Sequence, residues 1–397
     1  MLLDNEFPPD PRVENEINTL GSAGFEIHLL CYNFRDQPGY EIINGMHIHR
    51  FKINKQVAKK LLGLILTLPF FKIIWKKQVT SLLKRINPDA IHLHDLPLCI
   101  LAGYIKKNFN IPVIADMHEN YPYLVSEQPY MNRFPGKMFL SKDKWFKKEQ
   151  VWLDKTDHII TVAEEMKNRL GVDVVKKNKN IIVVPNTINV NLFVKVQKPD
   201  PNIRNRFKDF YNIIYIGGFD SLRGLDLLLE AMAILKNELG ELRLILVGDG
   251  SNRMELQNIS TVSGLNDRVY FEGLQPSSSI GSYIESAHIG IIPHVRTVQT
   301  DNSSPNKLFQ YMYYKKPVIS SNCTSLEKIV TETGCGLIFE DRNSSDLALQ
   351  IRFLFNNRDN AIKMGEKGFD AVMNRLNWDI TSRPLLDLYR KLGSIKN

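Results

Sequence analysis

A chain of 397 residues, 43% apolar and 24% charged, is too long for one ordinary hydrophobic core and too apolar for disorder, so it reads as two globular domains. Its net charge of +8 points to an anionic partner without choosing among nucleic acid, phospholipid and nucleotide. The start, Met1-Leu2-Leu3-Asp4, lacks a basic stretch followed by an apolar one, and Cys31, Cys99, Cys323 and Cys335 lack metal-ligand spacing, so a cytoplasmic protein with reduced thiols is expected.

Apolar β-branched runs alternate along the chain with longer helical patterns, which predicts parallel sheets covered by helices. Only Leu2-Leu3 precede the polar run from Asp4 to Arg12, so the first strand is expected to be short. Asp10 suits an N-cap and Pro11 the first position of a helix beginning near Arg12. Arg12 is placed either to meet an acceptor or a phosphate, or to serve as a first-turn surface residue. Further strands are predicted at Glu26–Cys31, His47–Phe51, Ala90–Leu93, Val113–Asp116, His158–Val162 and Ile181–Val184.

Between the second and third of these, Phe51–Ile86 holds nine Lys/Arg and no Asp or Glu. Its longest apolar stretch, Leu61 to Phe71, contains Thr67 and Pro69 and falls short of the roughly 20 residues a spanning helix needs. Two readings stay open. Lysines beside Leu, Phe and Trp75 suit a segment lying on an anionic membrane, and equally a solvated amphipathic helix packed on its own domain. No RNA-binding or helix-turn-helix pattern is evident, so nucleic acid is not an expected partner.

His92 and His94 alternate along one strand and share a face, but no third metal ligand is apparent and a structural role is expected. His118, in Asp116-Met117-His118-Glu119, directly follows a predicted strand and so faces the ligand crevice of such sheets. It can serve a substrate hydroxyl or a developing charge, or be satisfied by Asp116 or Glu119.

Pro185-Asn186-Thr187 closes the first series, and the polar stretch Gln197–Pro201 makes a suitable linker. A second series follows at Asn212–Ile216, Arg243–Val247, Val269–Phe271, Ile289–Ile292, Pro317–Ser320 and Gly336–Phe339. Its first strand runs into Gly217-Gly218, a turn that lets backbone approach a ligand, and then to Arg223, placed to grip a diphosphate in two-pronged fashion. Later, Ser304 reads as an N-cap and Pro305 as the first residue of a helix whose free N–H groups, with Asn306 and Lys307, cradle an anion. Gln310 lies further along that helix, within reach of a ribose. An ordinary capped helix explains the cap but not the nearness of Arg223 and Lys307.

Taken in order, these pieces resemble glycosyltransferase family 4, the retaining enzymes of the GT-B fold, over nearly the whole chain. Glu6–Glu14 looks like the opening of bacterial members, and Asp116–Glu119 like the segment carrying their active-site histidine. Pro185–Asn189 with Phe193 is similar to the segment before the linker, Leu246-Val247-Gly248-Asp249-Gly250 to the base-side strand and turn, and Phe309–Ile319 to the nucleotide-binding helix and the strand after it. The resemblance implies an α/β protein of two Rossmann-like domains with parallel sheets facing across a cleft. Residues 1–196 would form the acceptor-side domain, 202–375 the nucleotide-sugar domain, and 376–397 a helix returning to the first. His118, Arg223 and Lys307 stand as catalytic candidates, and Gly217, Gly218, Gly248, Ser304, Asn306 and Gln310 as donor-binding ones.

Three departures from the family stand out, at four positions. Gly218 stands where an arginine is frequent, Arg223 where a lysine is, and Asn302 and Gln310 where two glutamates eight apart are, so neither carboxylate is present. No Asp-x-Asp pattern suggests a metal-bound diphosphate, and no metal or cofactor is expected beside the nucleotide-diphosphate sugar. The resemblance implies transfer to a glycan or lipid-linked acceptor in surface-polysaccharide assembly, with Phe51–Ile86 as the contact to an anionic membrane. A sugar-nucleotide epimerase-like enzyme and a non-catalytic nucleotide-sugar- or glycan-binding subunit are the alternatives.

Overall fold

The computed structural model describes residues 1–126, 141–173 and 179–394. The chain divides into two compact units, Met1–Pro185 with Ser382–Asn397, and Asn186–Thr381. The first is built on strands β1 (Leu2–Glu6), β2 (His28–Asn33), β3 (Tyr40–Ile43), β4 (Met46–Lys52), β5 (Ile91–His94), β6 (Val113–Met117), β7 (His158–Thr161) and β8 (Asn180–Val183). They pair in the order β3-β4-β2-β1-β5-β6-β7-β8, parallel except for the β3/β4 hairpin. Every residue of β5 and β6 is buried, as expected of parallel strands covered on both faces.

Strand β1 is longer than the sequence implied. It runs through the polar Asp4-Asn5-Glu6 because both of its edges are paired, to β2 and to β5. The helix Pro11–Ser22 begins as expected, with the Asp10 carboxylate accepting from the Val13 N–H at 3.1 Å and Pro11 in the first turn. Strand β3 was not anticipated. It returns through Asn44-Gly45, whose positive φ angles of 51° and 80° suit a two-residue hairpin turn.

Phe51–Ile86 folds mainly as the helices Lys55–Gly63 and Phe70–Ile86. Phe71, Trp75, Val79, Leu82 and Leu83 point into the core, and the Trp75 indole donates to the Tyr32 hydroxyl at 2.7 Å. Trp75 is therefore a core residue, removed from any surface by its packing against Tyr32 and Phe51. All nine cations of the segment are exposed. No described helix is long and apolar enough to cross a membrane.

The second unit carries β9 (Tyr211–Ile216), β10 (Leu242–Val247), β11 (Val269–Gly273), β12 (Ile289–Ile292), β13 (Val318–Ser321) and β14 (Gly336–Phe339), all parallel. Their order, β11-β10-β9-β12-β13-β14, is the doubly wound one, with its switch point between β9 and β12. Gln197–Pro201, expected as a linker, lies inside this unit. The Gln197 side chain accepts from Gly281 N–H at 2.7 Å and donates to Ser277 O at 3.0 Å, and Lys198 N–H donates to Ser278 O. The chain passes between units at Pro185–Asn186 and again at Thr381–Ser382, so Trp378–Thr381 belongs to the second unit and Arg383–Ser394 to the first.

Candidate functional site

In the first unit, polar side chains gather at the carboxyl ends of β1, β5 and β6. His118 follows β6 directly, its side chain only 13% exposed, and its Nε2 lies 2.5 Å from Asp116 Oδ2. Its backbone N–H donates to Asp95 Oδ1 at 3.1 Å. Burial works against a charged ring, but Asp116 and then Asp95 outweigh it and raise the imidazole to about 10. Asp116 is itself held well below the usual carboxylate range, against burial, by Arg12 and His118.

Arg12 is not a surface residue. It donates to Asp116 Oδ1 at 3.0 Å and to Val184 O at 2.6 Å, and pairs with Glu16 at 2.9 Å. Burying a guanidinium demands such partners, and they hold it inside the protein. Burial and Asp95 raise Asp4, on β1, to about 7. Glu16 is fully buried and raised well above its usual range by burial and by Asp116. His92 and His94 lie beside these carboxylates, so the pair does have acidic neighbours, brought by a helix and a strand distant in sequence.

In the second unit, the glycine turn after β9 and the loop after β12 meet at the switch point. Gly217, at φ 143°, is crossed by Lys307, whose Nζ would lie 2.6 Å from a Cβ there. The Lys307 ammonium also stands 4.0 Å over the Tyr215 ring, and the Tyr215 hydroxyl donates to Gly218 O at 2.8 Å, fixing the turn. Gly248, at φ 141°, abuts the turn so closely that a Cβ would collide with the carbonyl oxygen of Gly217. Arg223, on the short 3-10 turn Ser221–Arg223, is held by Asp220 at 3.0 Å and lies 3.4 Å from His294 Nε2. Burial first, and Arg223 second, hold Lys307 well below the usual lysine range; burial, Lys307 and Arg223 do the same to His294.

The helix Asn306–Tyr313 starts differently from the expectation. Pro305 is its N-cap, no side chain caps it, and Ser304 Oγ is buried without a hydrogen-bond partner among the described residues. Ser304 precedes the cap by one residue, and Pro305 has no side-chain oxygen to accept from the N–H groups of the first turn. The helix therefore begins without a side-chain cap, close in sequence to the buried Ser304 hydroxyl, and carries Lys307, whose ammonium lies against Gly217. Gln310 is half-buried one turn further along, whereas the Asn302 amide is buried and spent on Val298 O at 2.6 Å. His294 escaped the sequence reading. Its only signal is its place two residues beyond an apolar run, and its Nδ1 is buried without a partner among the described residues.

An α/β protein of two doubly wound units, one with cations near a glycine turn at its switch point, has the form of a protein that binds an anionic ligand there. The profile described as Glycosyltransferase Family 4 matches residues 12–192, and that described as Glycosyl transferases group 1 matches residues 196–370. An uncharacterized glycosyltransferase of Haemophilus influenzae is 22% identical over 354 residues, 89% of this chain and 88% of that protein. The amylovoran biosynthesis glycosyltransferase AmsK of Erwinia amylovora is 22% identical over 201 residues, 50% of this chain and 49% of its own. Among solved structures, a sucrose-phosphate synthase of Thermosynechococcus elongatus superposes with a TM-score of 0.78 at 19% identity, covering 97% of this chain and 93% of that one. Anabaena HepE, solved in complex with UDP, gives 0.72 at 12% identity, covering 98% and 99%. The chain belongs to the family 4 glycosyltransferases and has their GT-B fold.

Proposed function

We propose that the protein transfers a sugar from a nucleoside-diphosphate donor to a glycan or lipid-linked acceptor in surface-polysaccharide assembly, with retention at the anomeric carbon and no metal ion on the diphosphate. The observation that carries this reading is Lys307, from the uncapped start of helix Asn306–Tyr313, lying against Gly217, with Arg223 on the turn that follows Gly217-Gly218 and working against the charge of Lys307. As the bond from the anomeric carbon to the phosphate oxygen breaks, negative charge grows on the diphosphate while the sugar becomes oxocarbenium-like. Two cations and a helix N-terminus offset that charge, and the buried Ser304 hydroxyl is a further donor. The acceptor hydroxyl attacks from the face the phosphate leaves and passes its proton to the departing phosphate oxygen, so no protein nucleophile is required. His118, held charged by Asp116 and Asp95, donates to the reacting sugar, and Gln310 hydrogen-bonds the ribose.

The UDP bound to HepE and the polysaccharide named for AmsK support the donor class and the pathway type. For the acceptor's location, the support is the exposed face of Phe51–Ile86, where nine cations stand among the exposed Val57, Leu64, Leu68, Phe70 and Ile73. That pattern suits a protein peripheral to the cytoplasmic face of a membrane.

The test is incubation with UDP-, GDP- and dTDP-sugars, with and without a membrane-lipid extract, following nucleotide release and the anomeric configuration of the product. Acceptor-dependent release with retained configuration is the expected result. Inversion refutes the proposed stereochemistry, and nucleotide binding without release under any condition refutes transfer.

A further inference from the structure

Behind His118, four side chains converge from three elements: Glu16 from the helix Pro11–Ser22, His92 and His94 from β5, and Asp116 from β6. All four are buried, with residual exposures of 0%, 1%, 0% and 0%. One ligand atom from each lies within 4.8 Å of the other three. His92 Nε2 stands 3.4 Å from Asp116 Oδ2 and 3.6 Å from Glu16 Oε2, and His94 Nδ1 stands 3.5 Å and 4.0 Å from the same two oxygens.

These separations are long for hydrogen bonds, which for N–H···O fall at about 2.7–3.2 Å. Glu16 Oε2 and His92 Nε2 accordingly have no hydrogen-bond partner among the described residues, while Glu16 Oε1 is ion-paired with Arg12 Nε at 2.9 Å. Buried polar atoms left without a partner are costly, so the arrangement asks for something between them. The distances say what fits. A tetrahedral ion bound to nitrogen and oxygen at about 2.0–2.1 Å has donor–donor edges of about 3.3 Å. Three of the four separations lie within about 0.3 Å of that edge, and the fourth closes by a small turn of the Glu16 carboxylate.

We infer that Glu16, His92, His94 and Asp116 form a buried site for a single divalent transition-metal ion, zinc by its ligand set of two imidazoles and two carboxylates. The inference goes beyond the proposed transfer reaction and stands whether or not the protein moves a sugar. Four protein ligands fill the coordination sphere, so the ion has no open position for substrate and acts structurally. The remaining valences of Glu16, His92 and Asp116 are engaged, while His94 Nε2 is buried without a hydrogen-bond partner among the described residues. Asp116 Oδ1 accepts from Arg12 at 3.0 Å, Asp116 Oδ2 has a second lone pair for His118, and Glu16 Oε1 faces Arg12 Nε at 2.9 Å. His92 Nδ1 lies 2.8 Å from the Tyr389 hydroxyl, a partner that fixes the ring with Nε2 turned toward the carboxylates. The ion thereby ties the helix Pro11–Ser22 to β5 and β6 and holds the Asp116 carboxylate that His118 leans on.

The test is elemental analysis of the full-length, tag-free protein expressed in medium supplied with zinc or cobalt, together with thermal unfolding after refolding with zinc or with a chelator. One metal ion per chain, tetrahedral visible bands from the cobalt form and a higher melting temperature after zinc refolding are expected. Glu16→Gln, which preserves shape, should lower metal retention at least about tenfold. His47→Asn, in the half-exposed grouping Glu26, His28 and His47, should leave the stoichiometry unchanged. If the protein refolds to the same melting temperature with chelator as with zinc and holds no stoichiometric metal, the site is empty in solution and Glu16 carries a proton toward Asp116 instead. If Glu16→Gln keeps its metal, or His47→Asn loses it, the ion sits elsewhere and the assignment falls.

Discussion

The two cations at the glycine turn differ in how they are held. Arg223 is already oriented by Asp220, whereas Lys307 lies over Tyr215 with burial and Arg223 both working against its charge. A bound diphosphate would reverse the balance and raise the lysine again. Its pKa is lowered in the free protein and higher in the complex, so binding takes up a proton between the two values. Affinity for UDP or GDP should be greatest below the free-state value and fall as pH rises through the window toward the bound-state value. Calorimetric titration of the nucleotide from neutral to alkaline pH checks this, and Lys307→Met should bind more weakly and with a flatter pH profile. Arg223→Ala removes a charge-assisted contact worth about 1.5–3 kcal/mol, which should lower kcat/KM roughly 10- to 150-fold; equal turnover would remove Arg223 from the mechanism. Gly217, Gly218 and Arg223 were legible as candidates because strand, turn and cation follow one another within a short stretch, and Lys307 because it follows a Ser-Pro helix start. Glu16 and His294 were not, since neither has a local signal. Glu16, four residues after Arg12, reads as half of a surface ion pair until the fold sets it against β5 and β6.

Among the elements, those with a terminal signature were readable and those made by long-range pairing were less so. Asp10-Pro11 announced its helix, and substituting Asp10→Ala should cost about 1 kcal/mol by orphaning the Val13 N–H, lowering the melting transition by a few degrees. Asn44-Gly45 carried the hairpin signal for β3, but β3 is so short, and Tyr40 and Ile42 so exposed, that no alternation marked it. The two readings of Phe51–Ile86 each describe one face: an inner row of Phe71, Trp75 and Val79 in the core, and an outer row of lysines with Phe70 and Ile73 exposed. Each cation near an anionic surface contributes on the order of 1 kcal/mol, so a few acting together give measurable binding. Cosedimentation with phosphatidylserine-containing liposomes should therefore be strong at low salt, weaker at high salt, and largely lost when Lys59, Lys60, Lys76 and Lys77 are changed to Glu. Phe70→Ser with Ile73→Ser should reduce the part that salt does not remove. Native protein that ignores the liposomes at low salt would leave the outer row merely solvated.

At the scale of the whole molecule, the apolar alternation gave the two α/β units, but the division between them follows contacts that no composition shift marks. Gln197–Pro201 has the chemistry of a linker, yet its backbone and side chains bond to the Ser277–Ser282 segment and make it part of the second unit. The chain instead leaves the first unit after Pro185 and re-enters it at Ser382, so the first unit is completed only by the last residues of the sequence. In the helix Arg383–Ser394, Leu385, Leu388, Tyr389 and Leu392 are buried, and Tyr389 packs edge-on against Phe25 while its hydroxyl meets His92. Burying side chains of this size contributes about 1.5–3 kcal/mol each, a gross sum comparable to the roughly 5–15 kcal/mol that holds a domain together. A chain ending at Thr381 should therefore lose most of the stability of its first unit while the second, Asn186–Thr381, keeps its full set of strands and its glycine turn. Calorimetry of the truncated protein should show the first unit's transition lowered or absent and the second unit's unchanged. Binding of UDP or GDP should survive with near-native affinity while transfer is abolished. A truncated chain that unfolds in one native-like transition, or that loses nucleotide binding together with transfer, would show that the two units do not keep separate stabilities.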